Sequence, residues 1–454
     1  MTKLVLTKSA YFKRKYFFPW IFKEDFEEIP QQRPQGDLVE VQTPHNEFFC
    51  YGYMNLESQI PVRALSFVAS DQIWSQEFLV SRLLESLRLR KKFSRTGSFR
   101  MVFSEADLMP GLICDLYHVV EGEKSFQIFA LQVLTYGMDR LLGDVYKVFE
   151  TFTMKAHEEG LLPLDWERTG LVLRNDVKVR EKEGLRIEMP RFVKTFREFE
   201  PNKAKIQLQT FDSRNLLMEC DLYEGQKTGF FLDQHENIMR ICNLVEGSVL
   251  GKKKIQVVDL CCYVGHWSAQ LVHAISRTDV EVDFHLVDVS ASALERAKSN
   301  AESQVTAKGL QGRIQIHCHK VDVLSGLDHF KEMQFDFVIC DPPGFIKAKK
   351  DLEKGKGAYI RLNSEAFRLV ANDGMLVTCS CSGLLSEEDF QECVVKGMSM
   401  ARRFGKMIMK GGPSFDHPAW ARFPQSNYLK MAVFSMLPVA KVAPFPKTPD
   451  SPST

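Results

Sequence analysis

The chain has 454 residues, 44% hydrophobic and 26% charged, with a net charge of +1. At ~100–200 residues per domain, that length predicts two to four units with a sizeable core. No apolar run approaches the ~18 residues of a membrane span, and the near-neutral charge argues neither for nor against a polyanionic partner.

In chain order, the first 22 residues, MTKLVLTKSAYFKRKYFFPWIF, lack an uninterrupted apolar stretch and a small-residue cleavage site. No signal peptide is expected, and the cytoplasm is the expected address. LVEVQTP, EFFCYGYMN and PVRALSFV are short, β-rich and separated by turn-like residues, which predicts a small β domain over residues 1–72. A small α/β layer is expected over residues 73–184. Phe78–Lys92 has helical periodicity, SFRMVFSEAD, GLICDLYHVV and SFQIFALQVL look like paired strands, and Thr135–Thr151 reads as a helix. From Arg82 to Arg100 seven Lys or Arg stand against one acid, Glu85. That basic patch is either a solvated helix face or an RNA contact.

Residues 185–437 alternate strand and helix. IQVVDL, VDFHLVDV, RIQIHCHKVD, FDFVICD and GMLVTCSC read as strands, with helices at Trp267–Ile275 and Ser292–Glu302. The alternation predicts an α/β fold with a mostly parallel, doubly wound sheet. Five prolines in the seventeen residues 438–454 predict a disordered tail. Eleven scattered cysteines show no metal-ligand spacing and no disulfide framework, so no metal site is expected. A reducing compartment leaves a thiol free for chemistry.

In open α/β sheets ligands bind beyond the carboxyl ends of the strands, where strand order reverses. The first strand ends in VVDLCCYVGHW, which carries Asp259, Tyr263 and Gly265. It has no G-x-G-x-x-G and no G-x-x-x-x-G-K-[ST], so a pyrophosphate cofactor is poorly supported. S-adenosylmethionine has no pyrophosphate and needs less glycine. Asp288 ends the second strand, where a carboxylate accepts ribose hydroxyls, and Asp322 ends the third, near the expected adenine amine. Each acid alone is more often a helix cap.

The fourth strand gives FDFVICDPPGF. Asp341 is followed by Pro342 and Pro343, whose fixed φ angles make a rigid wall for a flat base. The fifth strand gives GMLVTCSCSG. If the two strands pair, Cys381 stands beside Asp341, and Cys379 points to the same face. A thiolate adding to carbon 6 of cytosine makes carbon 5 nucleophilic enough to take a methyl group. Asp341 is the candidate partner for the base's polar edge. Pro343, Phe345, Tyr359 and Lys347 are candidate substrate contacts, with ordinary packing as the alternative for the aromatics. The target base is single-stranded or flipped out.

With these motifs assembled, the chain resembles the bacterial ribosomal RNA large-subunit methyltransferase I family over nearly its whole length. PWIF (Pro19–Phe22) and SQIPVRALSF (Ser58–Phe67) resemble that family's N-terminal PUA β barrel. SEADLMPGLICDLY (Ser104–Tyr117) and RNDVKVREKEGL (Arg174–Leu185) resemble its central domain. EGQKTGFFLDQ (Glu224–Gln234) resembles the segment covering the cofactor, which implies Phe231, Asp233 and Gln234 as its neighbours. SCSG (Ser380–Gly383) matches the catalytic motif and implies Cys381 as nucleophile. The resemblance implies a doubly wound, Rossmann-like class I methyltransferase sheet that uses S-adenosylmethionine. The implied reaction is cytosine-C5 methylation of large-subunit ribosomal RNA. His266 departs from a glycine in the cofactor loop, and Gly344 and Phe345 stand where related enzymes keep a second cysteine. A base-nitrogen methyltransferase and a non-catalytic RNA-binding protein are the alternatives, and a homodimer is compatible with the sequence.

Overall fold

The computed structural model describes the chain except residues 33, 74, 94–96, 198 and 439–454, so the expected tail lies, apart from Pro438, outside the described residues. The chain divides into two compact units. One comprises Met1–Val245, Ala269–Ala274 and Gly412–Tyr428, and the other Glu246–Ser268, Ile275–Gly411 and Leu429–Thr454. No helix among the described residues is long and apolar enough to cross a membrane.

The first unit begins with β1 (Thr2–Val5), α1 (Lys8–Arg14), β2 (Trp20–Ile21), β3 (Asp37–Gln42), β4 (Phe48–Met54) and β5 (Val62–Ser66). Thr7 starts α1 by accepting a hydrogen bond from the Ala10 amide at 3.1 Å. The strands pair in the order β1-β3-β4-β5-β2. The expected barrel is therefore a five-stranded sheet whose pairings run as an open path among the described residues. Leu4, Val39, Val41, Cys50, Val62 and Ala64 form its core.

There follow α2 (Gln76–Lys91), β6 (Phe99–Phe103), β7 (Leu112–Glu121), β8 (Lys124–Val133), α3 (Tyr136–Leu142), α4 (Val145–Glu158), β9 (Thr169–Leu173), β10 (Arg191–Lys194), β11 (Ala204–Gln209), β12 (Asn215–Cys220) and α5 (His235–Ser248). The sheet order is β10-β9-β8-β7-β11-β12, with β6 on β7. The helix expected over Thr135–Thr151 is two helices. Gly143 at φ 53° ends the first, and the Asp144 carboxylate caps the second through the Lys147 amide. β10, β11 and β12 follow Leu185 yet join this central sheet, because apolar patterning marks a strand without naming its neighbours.

The basic run is corrected by its partners. Arg82 pairs with Asp71 and Glu85, and Arg88 with Glu159. Arg90 is buried against Asp107, and Arg100 grips Asp115 at 2.7 and 2.8 Å. Four of the seven cations are thus engaged inside the unit, two in its interior, and Arg95 lies outside the described residues.

The second unit is built on β13 (Lys254–Leu260), β14 (Glu281–Asp288), β15 (Ile314–Lys320), β16 (Phe335–Cys340), β17 (Val370–Ser380), β18 (Gly405–Gly411) and β19 (Lys430–Met436). Its helices are α7 (Ala291–Ala307), α8 (Leu352–Leu369) and α9 (Glu387–Met400), while α6 (His266–Ile275) starts in this unit and has Ala269–Ala274 in the first. The order is β15-β14-β13-β16-β17-β19-β18, parallel through β17, with β19 antiparallel to both neighbours. Strand alternation sorts the side chains onto two faces. Val258, Leu260, Val338, Cys340 and Leu376 pack with Tyr359, Leu362, Phe390 and Val394 from α8 and α9. Leu286 and Ile316 pack with Leu294 and Ala297 of α7. Order reverses between β13 and β16, and the carboxyl ends of β13, β14, β16 and β17 meet there.

Candidate active site

The loop after β13 holds an unusual backbone. Cys261, Tyr263 and Gly265 have φ of 64°, 49° and 78°, and two of the three are not glycine. Such strain persists only where surrounding structure imposes it. Here the Cys262 amide bonds the Val287 carbonyl at 3.0 Å and the Tyr263 amide bonds the Asp288 carboxylate at 3.0 Å. A Cβ on Gly265 would stand 3.1 Å from Ala297 backbone atoms. The glycine therefore lets α7 approach the loop.

Three acids converge at the strand ends. Asp259 is buried, and Ser268 donates to its Oδ2 at 2.7 Å, while Oδ1 accepts no hydrogen bond from the described residues. Burial pushes its carboxyl up to about 7; Asp341 and Asp288 push the same way against the Ser268 hydrogen bond. Asp288 also accepts from the Ser290 amide at 2.9 Å. A buried, incompletely bonded carboxylate beside two others is a cradle for a cation, which fits the ammonium and sulfonium of S-adenosylmethionine. Asp322 caps the turn Val323–Ser325, accepting from the Leu324 amide at 2.9 Å.

Strands β16 and β17 do pair, with Cys340 opposite Thr378. Continuing that register sets Pro343 opposite Cys381. The Cys381 thiol is partly exposed, with Sγ 3.9 Å from the Pro342 carbonyl. A Cβ on Gly344 would stand 3.5 Å from that Sγ. Cys379 is fully buried within β17, and burial pushes the neighbouring Cys340 thiol up to about 12. Trp267, at the first turn of α6, donates its indole N–H to Asp341 Oδ2 at 3.0 Å.

Tyr359 does not face a substrate. It is fully buried, its hydroxyl bonded to Ser382 Oγ at 2.9 Å and Ser380 Oγ at 2.8 Å, so it braces the loop on both sides of Cys381. The half-buried Phe345 ring packs 4.7 Å from it, whereas Pro343 and Lys347 are exposed and Pro342 is buried. Phe231, Asp233 and Gln234 lie in the first unit. Lys227 stands 4.1 Å over the Phe231 ring and pairs with Asp233 at 2.8 Å, and Asn237 donates to Gln234 at 2.7 Å. Burial opposes ionisation of Asp233, but Lys227, His417 and Tyr428 together hold its carboxyl well below the usual range.

Two residues at the site have no distinguishing signal in the sequence. Trp267 is one apolar residue in an apolar helix. Lys430 opens a plain strand, and only the antiparallel pairing of β17 and β19 brings it opposite Ser380.

The fold and these strand-end residues define a class I, S-adenosylmethionine-dependent methyltransferase with an N-terminal PUA-like domain. Family descriptions match accordingly: a PUA-like domain over residues 4–67 and a methyltransferase domain over residues 251–423. Over most of its length the chain is similar to proteins named ribosomal RNA large subunit methyltransferase I. It is 28% identical to the one from Tolumonas auensis, over 91% of this chain and 94% of that protein. The one from Alteromonas mediterranea is 27% identical, over 92% and 94%. A candidate methyltransferase solved in complex with SAH has the same fold, with a TM-score of 0.70 and 16% identity over 96% of this chain and all of that one.

Proposed function

We propose that the chain methylates carbon 5 of a cytosine in large-subunit ribosomal RNA, with Cys381 as the nucleophile. The observation that carries this reading is the partly exposed Cys381 thiol against the Pro342–Gly344 turn, with Asp341 at the same sheet end. Curated relatives that align over nine-tenths of the chain are named as large-subunit ribosomal RNA methyltransferases.

When bound, S-adenosylmethionine supplies an electrophilic methyl group. Asp259, Tyr263, Gly265, Asp288, Asp322 and Pro342 are the proposed residues around it. The Cys381 thiolate gives its electron pair to carbon 6 of the base, and the C5–C6 π pair becomes available at carbon 5. Asp341, oriented by Trp267, meets the exocyclic amine or the protonated N3. Once carbon 5 has bonded the methyl, loss of its proton restores the double bond and expels the thiolate. Pro343, Phe345 and Lys347 are the proposed contacts to the base and its flanking backbone. Residues 1–72 are the proposed RNA-holding domain, residues 73–184 a central domain whose sheet is completed by β10–β12, and the remainder of residues 185–437 carries catalysis, all at work in the cytoplasm.

The product decides between chemistries. Ribosomal RNA treated with methyl-labelled S-adenosylmethionine, digested and read by nucleoside mass spectrometry, is expected to yield labelled 5-methylcytidine. A nitrogen-methylated base in its place would overturn the C5 reading.

The Asp259 carboxyl titrates near neutrality, and a cationic ligand favours its charged form. Affinity for S-adenosylmethionine should therefore rise as pH climbs from 6 to 8. The gain is up to about tenfold, the factor by which a nearby cation prefers the carboxylate over the neutral acid. Calorimetry checks this, and Asp259→Asn should flatten the profile.

With four of the seven cations of the Arg82–Arg100 run engaged in ion pairs, a second face of the first unit is also a candidate for RNA contact. Phe12, Tyr16 and Phe17 are 65%, 49% and 54% exposed around α1 and the turn after it. Lys15 lies over Phe12 and Tyr16, and Arg422 lies 4.3 Å over Tyr16. Exposed aromatics among cations suit single-stranded bases, each stack being worth about 1–3 kcal/mol. Phe12→Ala with Tyr16→Ala should weaken RNA binding about tenfold or more in filter assays. Unchanged binding would remove this face from the proposal.

A further inference from the structure

The proposed reaction needs Cys381 as a thiolate, whereas an ordinary thiol is mostly protonated at neutral pH. Lys430 lies opposite Ser380 in the β17–β19 register, one residue before Cys381. Its side chain runs inward: the residue is 7% exposed, and its Nζ donates to the Ser382 carbonyl at 2.7 Å, one residue after Cys381. The ammonium is thus anchored to the peptide that carries the nucleophile.

Other titratable groups from the surrounding elements do not displace this pairing. From α8, the buried Tyr359 hydroxyl is pushed up to about 12 and keeps its proton. From the first turn of α9, Glu387 is paired at 2.8 Å with Lys410 of β18. Asp341, at the end of β16, accepts from Trp267. Burial pulls the Lys430 ammonium down to about 8. The charge that most opposes this is the Cys381 thiolate, and Glu387 comes second.

We propose that Lys430 is the positioning residue that holds Cys381 as a thiolate, its buried ammonium supplying the counter-charge from the adjacent strand. The inference deepens the Cys381 reading and rests on it. It also accounts for a buried cation tied to a main-chain carbonyl at the mouth of the site. Loss of Lys430 should therefore change the ionisation of one thiol rather than only the stability of the sheet.

The test is alkylation of Cys381 in the full chain by iodoacetamide between pH 6 and 10, followed by peptide mass spectrometry. Wild type should react with a midpoint below the usual thiol value of about 8.5. Lys430→Gln keeps a donor for the Ser382 carbonyl but lacks the charge, so the midpoint should rise by about one pH unit, with reaction near neutrality about tenfold slower. Lys430→Arg should stay near wild type. Lys430→Met serves if the glutamine protein fails to fold, as judged by circular dichroism. A folded Lys430→Gln or Lys430→Met protein whose profile superimposes on wild type overturns the proposal. Because the readout is thiol titration, it is independent of methyl transfer. A Cys381→Ala protein that still methylates would defeat the nucleophile reading without altering the Lys430 result.

Discussion

Cys381→Ala is expected to fold normally and lose methyl transfer by at least about a thousandfold, the scale seen when a covalent nucleophile is removed. Folding should survive because the thiol is only partly buried and sits past the end of β17, outside the sheet core. Loss on that scale follows because, among the described residues 380–383, no other side chain is a nucleophile of comparable strength. The neighbouring hydroxyls of Ser380 and Ser382 are buried and bonded to Tyr359. Cys379→Ala is the control: its thiol lies inside the strand, so the change should affect stability modestly and leave transfer intact.

A second readout isolates the covalent step. RNA carrying 5-fluorocytidine has no carbon-5 proton to lose, so the adduct between Cys381 and carbon 6 should accumulate as a band stable in denaturing gels. Wild type and Cys379→Ala should form it, and Cys381→Ala should not. A Cys381→Ala enzyme with undiminished transfer would falsify the thiolate mechanism and favour a nitrogen target held by Asp341 and the two prolines.

Arg63→Met should destabilise the first unit by about 3–5 kcal/mol, the range for stripping one member from a buried ion network. Arg63 on β5 bonds Glu105 at 2.7 Å and Glu183 at 2.7 Å, and all three are buried. Trp20 also donates to Glu105 at 2.7 Å, and Ser58 and Asn55 donate to Glu183 at 2.6 and 3.3 Å. Methionine would fill much of the volume but leave two carboxylates facing each other without a cation. The expected result is a lower urea midpoint for the transition of this unit. Arg63→Met combined with Glu105→Gln and Glu183→Gln should recover most of the loss, because no uncompensated charge is left behind. A single Arg63→Met as stable as wild type would show that water or rearrangement compensates the carboxylates.

This network also shows why the N-terminal β domain and the central layer, separate in the sequence reading, make one compact unit. Tyr53 from β4 reaches the Pro110 carbonyl at 2.8 Å and Thr135 at 2.7 Å, and Tyr51 and Leu65 share a core with α2 and β7. Long-range partners of this kind leave no mark on local periodicity.

Much was legible from the residues alone. The alternation read over residues 185–437 marked five of the seven strands of the doubly wound sheet, β13 to β17, because parallel strands buried on both faces need continuous apolar runs. Asp259, Asp288, Asp341 and Cys381 were found because each closes such a run, and strand ends are where backbone gives way to side-chain chemistry. The basic run from Arg82 was legible only in part, for the complementary reason. A sequence shows charges but not their partners, and Asp71, Glu159, Asp107 and Asp115 pair with four of its seven cations from other elements. Likewise Tyr359 reads as an aromatic near the site, and only packing shows it turned inward to brace the loop. The local pattern of apolar, turn and strand-ending residues thus determined many of the elements and the candidate reactive thiol. Pairing across the chain decided which carboxylates share a field, which arginines are silenced, and that Lys430 stands beside Cys381, since each depends on residues brought together by register and not by spacing.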